Sequence, residues 1–484
     1  MSDYINLNHE EFYSRFASLL SPNELKKLSA IQDQPLPAGT RINRLKMDPS
    51  SAIQDLSQRY GWLVKPIPFC ENGWTIHSSE TAPGTTIEHR LGNYYLQDAA
   101  SMVPVTLFDF NKQQPIILDM AASPGGKTTH LIDRTLDQGF IIANDSSSSR
   151  IPALRSVLSN WGGANQIVTQ FPGESFGSWF PEQFDHVLLD APCSMENLRP
   201  TANHPLRDTT PDERLRLQSR QVELLISGLA ALKIGGQMVY ATCSLAPEED
   251  EAVIDTVLRK YPGILSIDDV SHRIPFKVPG ITRFGIKEFH PDLEKALRLW
   301  PHLTGMSGFF CARLTKLASM SSKNEASPTR DFVRTGLQSL DRNTLSTVCE
   351  ILFTCYGLNI KEILENFHLE IFQRFDQLFL IPLIYNENFL SLPFSLIGLL
   401  MGQFQKDTLK PSPEFISRFG RQFTHGIIQI DDELIPQWIS GRDIRHPKTD
   451  IIPTGQYLLV TDSAGRNLGL GKLLPNRLRN MLPR

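Results

Sequence analysis

No stretch of the 484 residues is long and apolar enough to suggest a membrane span. The longest uncharged run, residues 389–402, is interrupted by Pro393 and falls short of the roughly 20 residues a helix needs. Residues 1–20 mix Asp3, Glu10 and Glu11 with apolar side chains and lack a basic-then-apolar leader, so the cytoplasm is the expected compartment. Cysteine is scarce: Cys70, Cys193, Cys243, Cys311, Cys349 and Cys355 are the whole set, and none forms a Cys-x-x-Cys pair. That spacing gives no metal site, and buried apolar thiols are the ordinary reading. Nor is there a surplus of charge. With 48 Lys and Arg against 52 Asp and Glu the net charge is −4, which excludes a uniformly basic coat but not a local basic face for phosphates. No internal repeat or low-complexity run is present.

What is present fits a globular chain of roughly two to four domains, since 41% hydrophobic and 21% charged residues allow substantial buried cores. Residues 1–88 read as a small leading domain. Helical spacing covers 10–20 and 24–31, and Arg41-Ile42-Asn43-Arg44-Leu45-Lys46 alternates like a strand carrying three cations. From residue 115 strands alternate with helices. Strands are predicted at 116–120, 140–145, 166–169, 184–189 and 237–241, and helices at 127–132, 151–160 and 211–232. Such alternation predicts an α/β core, residues 89–318, with a mostly parallel sheet covered on both faces. Residues 319–330, poor in apolar side chains and rich in Ser, read as a linker. Residues 331–406 have mixed character and no assignable fold. Beyond them, 407–484 turn to strands and end with five Lys or Arg and no acid over 465–484.

The segment Leu118-Asp119-Met120-Ala121-Ala122-Ser123-Pro124-Gly125-Gly126-Lys127-Thr128 is a strand, a small-residue turn and a helix start. In open parallel sheets ligands sit beyond the carboxyl ends of strands, and small residues allow close approach of the backbone. The spacing matches neither a Walker loop nor G-x-G-x-x-G. Asp145 closes the next strand, where a carboxylate can accept from a ribose, so a nucleoside cofactor is expected.

Two cysteines follow two further strands, in Asp190-Ala191-Pro192-Cys193-Ser194 and in Ala241-Thr242-Cys243-Ser244. Both turns belong at the same sheet edge as Asp119 and Asp145. Two thiols and an acid beside a nucleoside-cofactor turn suit one chemistry in particular. Carbon 5 of cytosine attacks a methyl sulfonium poorly, but thiolate addition at carbon 6 makes the ring enamine-like. Cysteine is both a strong nucleophile and a competent leaving group. A carboxylic acid at ring nitrogen 3 can meet the charge that develops there.

With these residues in view, the chain resembles the Nol/Nop/Sun family of RNA cytosine-5 methyltransferases over residues 38–316. The resemblance rests on Arg41 to Lys46, Tyr95-Leu96-Gln97-Asp98-Ala99-Ala100-Ser101-Met102, the 121–128 turn, both cysteine turns, and Arg298-Leu299-Trp300-Pro301-His302. The tail, with Gly469-Leu470-Gly471-Lys472 and Arg477-Leu478-Arg479-Asn480, resembles the bacterial branch acting on small-subunit ribosomal RNA. The resemblance implies an RRM-like domain at 1–88, a Rossmann-like methyltransferase core, and a PUA-like RNA-binding domain at 407–484. It implies S-adenosyl-L-methionine as cofactor, with Ala121, Ala122, Ser123, Pro124, Gly125, Gly126 and Lys127 at its methionine end and Asp145 at its ribose. Asp190 would border the reacting centre and also the cofactor. Cys243 would be the nucleophile and Cys193 would assist release, with Lys127 positioning the base or the methyl donor. RNA is the implied partner, ribosomal first and transfer RNA second. A monomer is expected.

Two positions depart from the family pattern. Met195-Glu196-Asn197 stands where Gly-Glu-Gly is usual, and a long Met195 side chain there would crowd the base pocket. Pro172 stands where an acid would meet the adenine amino group, with Glu174 the nearby substitute. An RNA-binding assembly factor with weakened catalysis is therefore a further reading. Arg41, Arg44 and Lys46 in front, and Arg466, Lys472, Arg477 and Arg479 behind, are expected to hold phosphates. The target base must be unpaired or flipped for a thiol to reach it.

Overall fold

A computed structural model describes residues 15–31, 34–196, 209–320, 324–328, 335–389, 392–406, 408–447 and 454–482. Near the N-terminus, α1 (Pro22–Ile31) contains the expected helix at 24–31, and only a short turn, Arg15–Ser18, is described within the expected helix at 10–20. Strands β1 (Ala38–Ile42), β2 (Leu63–Pro66), β3 (Gly73–Ser78) and β4 (Tyr94–Leu96) form an antiparallel sheet in the order β2-β3-β1-β4. Helix α2 (Pro49–Tyr60) joins β1 to β2 and the short α3 (Ile87–Arg90) precedes β4. Asp48 caps α2 by accepting from Ser51 N, and Gly61 ends it at φ 63°, a left-handed position that glycine adopts freely. The alternating segment at 41–46 is therefore strand only to Ile42, and the sheet continues past residue 88 to Leu96.

The apolar runs of the central region form β5 (Ile116–Asp119), β6 (Phe140–Asn144), β7 (Gln166–Thr169), β8 (Phe184–Asp190) and β9 (Leu232–Thr242). All are parallel, in the order β7-β6-β5-β8-β9. Every residue of β5, β6 and β7 is buried, as expected of strands covered on both faces. Helices α4 (Gly126–Arg134) and α5 (Ile151–Trp161) follow β5 and β6, and the 21-residue α6 (Pro211–Ala231) leads into β9. Thr210 Oγ1 caps α6 by accepting from Glu213 N, with Pro211 at the first position. After α7 (Glu251–Lys260), strands β10 (Leu265–Ile267), β11 (Leu297–Leu299) and β12 (Phe309–Lys316) extend the β9 edge antiparallel. The strand order reverses between β5 and β8, which opens a crevice at the carboxyl ends of the strands. This is a Rossmann-like α/β core.

The region left unassigned from sequence contains β13 (Leu337–Ser339), β14 (Leu369–Arg374), β15 (Gln377–Pro382), β16 (Leu396–Ile397) and β17 (Leu399–Gln405), and β18 (Thr408–Pro411) follows just beyond it. Five of these make an antiparallel sheet, β13-β14-β15-β17-β18, which runs past residue 406. The sixth, β16, pairs antiparallel with β7 and so joins the core sheet. Phe372, Ile381, Tyr385 and Phe389 pack in the same apolar cluster as Phe140 and Phe184, so this region completes one face of the core. Helix α8 (Pro413–Phe419) follows β18. A last sheet holds β19 (Ile427–Gln429), β20 (Ile444–Arg445), β21 (Tyr457–Thr461), β22 (Asn467–Leu474) and β23 (Arg477–Asn480), in the order β19-β21-β22-β23-β20. It docks back onto the leading sheet: Ile87 and Leu91 pack with Trp438 and Leu458, and Arg466 Nη1 lies 2.9 Å from Glu88 Oε1. Among the described residues no helix is long and apolar enough to cross a membrane.

Candidate active site

The crevice is built by four strand ends. Met120 and Ala121 leave β5 pinned to both neighbours, Met120 N donating to Leu188 O at 2.9 Å and Ala122 N to Asn144 O at 2.7 Å. Asp145 leaves β6 and is 2% exposed; its carboxylate accepts from Ser123 N at 3.2 Å and Ser147 N at 2.9 Å, with Arg150 Nη1 at 3.5 Å. Strands β8 and β9 stay paired beyond Asp190, since Ala191 N donates to Ala241 O at 2.8 Å. That pairing brings the two cysteine turns face to face. Cys193 Sγ and Cys243 Sγ are 3.0 Å apart. Lys127, in the first turn of α4, donates to Asp190 Oδ2 at 2.6 Å. A cavity of about 470 Å³ opens here, lined by Met120, Ala121, Asp145, Arg150, Gly173, Asp190, Cys193, Met195, Arg220, Leu224 and Cys243.

Burial opposes the charge on Lys127, but Asp190 and then Cys243 outweigh it and hold the ammonium above its ordinary range. The hydrogen bond to Cys243, then burial and the Cys243 charge, push the Cys193 thiol well up. These effects favour the protonated form of Cys193, and either sulfur can donate across the 3.0 Å contact. Below the cavity Asp119 is fully buried, and burial raises its carboxyl to about 7 against the opposing bond from Thr128 Oγ1 at 2.7 Å. Its Oδ1 has no hydrogen-bond partner among the described residues.

The geometry sorts the residues singled out from sequence. Ala121, Asp145, Asp190, Cys193 and Cys243 line the cavity, and Lys127 reaches it through Asp190. Ala122, Ser123, Pro124, Gly125 and Gly126 are not among its lining. The two glycines answer to packing instead: a Cβ on Gly125, at φ +113°, would stand 2.9 Å from Val157 Cγ1, and one on Gly126 2.8 Å from the Tyr95 ring. Met195 sits at φ 62°, lines the cavity and is 46% exposed, so its side chain is at the mouth. Asn197 lies outside the described residues. Pro172 precedes Gly173 in the cavity wall, and Glu174 is held at the rim by Arg220, Nε to Oε1 at 3.0 Å.

The expected phosphate-binding cations are corrected in part. Arg41 is 0% exposed, donates to Gly126 O at 3.1 Å and faces Asp133 at 3.6 Å. Lys46 is 4% exposed and its Nζ donates to Leu91 O, Asn160 O and Ser417 Oγ at 2.6, 2.6 and 2.9 Å. Arg466 is spent on Glu88 and Asp462, and Lys472 lies over the Tyr457 ring. Arg41, Lys46 and Arg466 tie separate domains together and Lys472 stays within its own sheet, whereas Arg44, Arg477 and Arg479 are exposed.

Sequence reasoning missed Glu249. It is 0% exposed, and its carboxylate accepts from Ser194 N at 2.9 Å, Ser194 Oγ, Ser244 Oγ at 3.1 Å and Gln221 Nε2 at 3.1 Å. Nearby, Arg298 is fully buried against Asp250 and Glu251, and Asp250 Oδ1 accepts from Thr242 Oγ1 at 2.6 Å. The signal available was the acidic run Glu248-Glu249-Asp250-Glu251 just after a Cys-Ser that repeats the first one.

A sequence family described as 16S rRNA methyltransferase RsmB/F matches residues 105–315, and one described as the N-terminal domain of 16S rRNA methyltransferase RsmF matches residues 9–99. The ribosomal RNA small subunit methyltransferase F of Aeromonas salmonicida (strain A449) is 32% identical over 461 residues, covering 93% of this chain and 91% of that protein. The protein of the same name from Vibrio vulnificus (strain YJ016) is 29% identical, covering 98% and 96%. Among solved structures, a methyltransferase homolog protein from Pyrococcus horikoshii is 32% identical with a TM-score of 0.56, covering 64% of this chain and 95% of that one. Near-complete coverage at this identity, over a Rossmann-like core whose paired thiols face one crevice, places the chain in the ribosomal RNA small subunit methyltransferase F family.

Proposed function

We propose that this chain methylates carbon 5 of a cytosine in small-subunit ribosomal RNA through a covalent adduct at Cys243. The observation that carries the reading is the 3.0 Å thiol pair at adjacent strand ends, opening on the same cavity as Asp190 and its partner Lys127. The cavity suits S-adenosyl-L-methionine. Asp145 lines it with a carboxylate that can accept from a ribose, Met120 and Leu224 offer apolar contact, and Ala121 and Asp190 line the part this reading assigns to the methionine end. When bound, the cofactor supplies an electrophilic methyl group on a sulfonium.

Cys243 Sγ adds to carbon 6 of the cytosine, and its electron pair displaces charge toward nitrogen 3. Asp190, which accepts from the Lys127 ammonium at 2.6 Å, can pass a proton from it to that nitrogen as the charge develops. Once Cys243 Sγ is bonded to carbon it no longer carries charge, so the neighbour that kept Cys193 protonated is gone. Cys193 can then release its proton to solvent and accept the one from carbon 5. The C5–H electron pair restores the ring double bond, and Cys243 leaves as a thiolate.

The leading four-stranded sheet has the β-α-β-β-α-β order of a split βαβ unit. It and the last five-stranded sheet belong to this reading as the RRM-like and PUA-like domains, with residues 319–330 as linker, in a cytoplasmic monomer.

Labelled methyl transfer to undermodified ribosomal and transfer RNA tests the substrate. Incorporation into small-subunit RNA is expected; incorporation into transfer RNA alone moves the target there. Cys193→Ala should accumulate a protein–RNA adduct and Cys243→Ala should form none, so an adduct on Cys243→Ala reverses the roles. Pro172 and Met195 favour one second reading, a weakened assembly factor, which failure to bind S-adenosyl-L-methionine in calorimetry would support.

A further inference from the structure

Each cysteine of the pair is followed by a serine, and the repetition has a geometric counterpart. Cys193 faces Cys243 at 3.0 Å, and one residue on Ser194 Oγ faces Ser244 Oγ at 3.2 Å. Beneath the two serines lies the fully buried Glu249, whose four acceptor bonds come from both turns and from Gln221 on α6. Gln221 also donates to Pro192 O at 2.9 Å, so the first turn is gripped on both sides of Cys193. The second turn has its own strand: β9 ends at Thr242, which is bonded to Asp250. The first turn leaves β8 at Asp190 and is also held on its far side, Leu245 N donating to Glu196 O at 3.0 Å and Arg214 Nη2 standing 2.9 Å from Glu196 Oε1, while the bonds directly after Cys193 are those of Ser194 to Glu249.

We infer that Glu249 is a positioning residue whose carboxylate holds the Cys193 turn in register with the Cys243 turn, and so governs breakdown of the covalent adduct more than its formation. The inference rests on the assignment of the two thiols above. Breakdown moves the carbon-5 proton to Cys193 Sγ while the Sγ–C6 bond breaks toward Cys243, so it needs both sulfurs in place. Of the two sulfurs, formation needs only that of Cys243. Burial pushes the Glu249 carboxyl above its ordinary range and its four donors oppose that, in a site where none of these bonds competes with water, so the acceptor and its donors hold one another. The glutamine side chain is isosteric but carries an NH₂ where two of those donors point.

Full-length Glu249→Gln, Ser194→Ala and Cys193→Ala proteins, given undermodified small-subunit ribosomal RNA and S-adenosyl-L-methionine, are compared on denaturing gels and in single-turnover assays. Glu249→Gln is expected to accumulate adduct as Cys193→Ala does, with release slowed about tenfold or more, equivalent to about 1.4 kcal/mol. Ser194→Ala, which keeps the backbone bond to Glu249, should do so more weakly. Cofactor affinity by calorimetry should stay at the wild-type level in both. A parallel loss of formation and release in Glu249→Gln overturns the inference in favour of a general structural role. Wild-type turnover by Glu249→Gln while Cys193→Ala traps adduct also overturns it. Should Glu249→Gln fail to fold, Ser194→Ala decides alone: trapped adduct supports the clamp and wild-type release overturns it. Absence of adduct in every variant, Cys193→Ala included, brings down the thiol assignment and the clamp with it.

Discussion

Lys127 and Lys46 are both withdrawn from solvent, yet they are put to opposite uses. Lys127 has a carboxylate at 2.6 Å, and burial, which works against its charge, loses to Asp190. Lys46 has three uncharged oxygens instead; burial, joined by the nearby Arg418 charge, lowers it to about 7. The first sits at the edge of the reacting centre, where a fixed positive charge is useful. The second joins the leading sheet, α5 and α8, where hydrogen bonds matter and charge is a cost. A lysine's role here follows from its acceptor, not from its place in a basic-looking segment.

The largest effect that would sharpen this contrast is on chemistry. Lys127→Met should lower kcat on the order of 10²–10⁴, with much less change in melting temperature than the interdomain variants below; steady-state kinetics and calorimetry check both. Next comes Arg41→Met, which leaves buried Asp133 without its cation. A loss of about 3–5 kcal/mol is expected, read by denaturant unfolding, while RNA affinity of the folded protein stays unchanged. Lost RNA affinity without lost stability would restore Arg41 as a phosphate ligand.

Lys46→Met should act through pH. The folded value, about 7, lies below the ordinary 10.5, so the unfolded chain takes up a proton across that window and the folded one does not. Its contribution is therefore full above 10.5 and lost as pH falls through 7. Wild-type melting temperature should carry that slope between pH 10 and 7, and the variant should be flatter. A variant with the wild-type slope would break the comparison. The smallest effect is expected of exposed Arg479: Arg479→Ala should weaken RNA binding uniformly and reduce the log affinity against log salt slope by about 1.

Much of the core was legible because two-sided burial writes itself locally. Ile116-Ile117-Leu118 and Phe140-Ile141-Ile142 have no polar alternation to confuse them, and they are strands. The 211–232 helix was legible from its amphipathic period. The 41–46 segment misled for the converse reason. Its polar side chains looked outward by alternation, but their acceptors come from distant chain: Arg41 bonds Thr129, 88 residues away, and Lys46 bonds Ser417, 371 away. The 331–406 region stayed unread because β16 completes its pairing with β7 of the core rather than with a local neighbour. At the site, both cysteine turns were legible as strand ends. Glu249 was not, since an acid in an acidic run ordinarily signals a solvated surface.

By itself the sequence determined the strand and helix order of the core and which residue types lie at the carboxyl ends of its strands, because burial pattern and turn chemistry are local properties. Only the tertiary structure decided which cations are buried staples, which small residues line the cavity rather than pack behind it, and how two Cys-Ser turns are joined through one carboxylate. Those depend on partners brought together by the fold, and whether a charge is stabilised or penalised is set by what stands within a few ångströms of it.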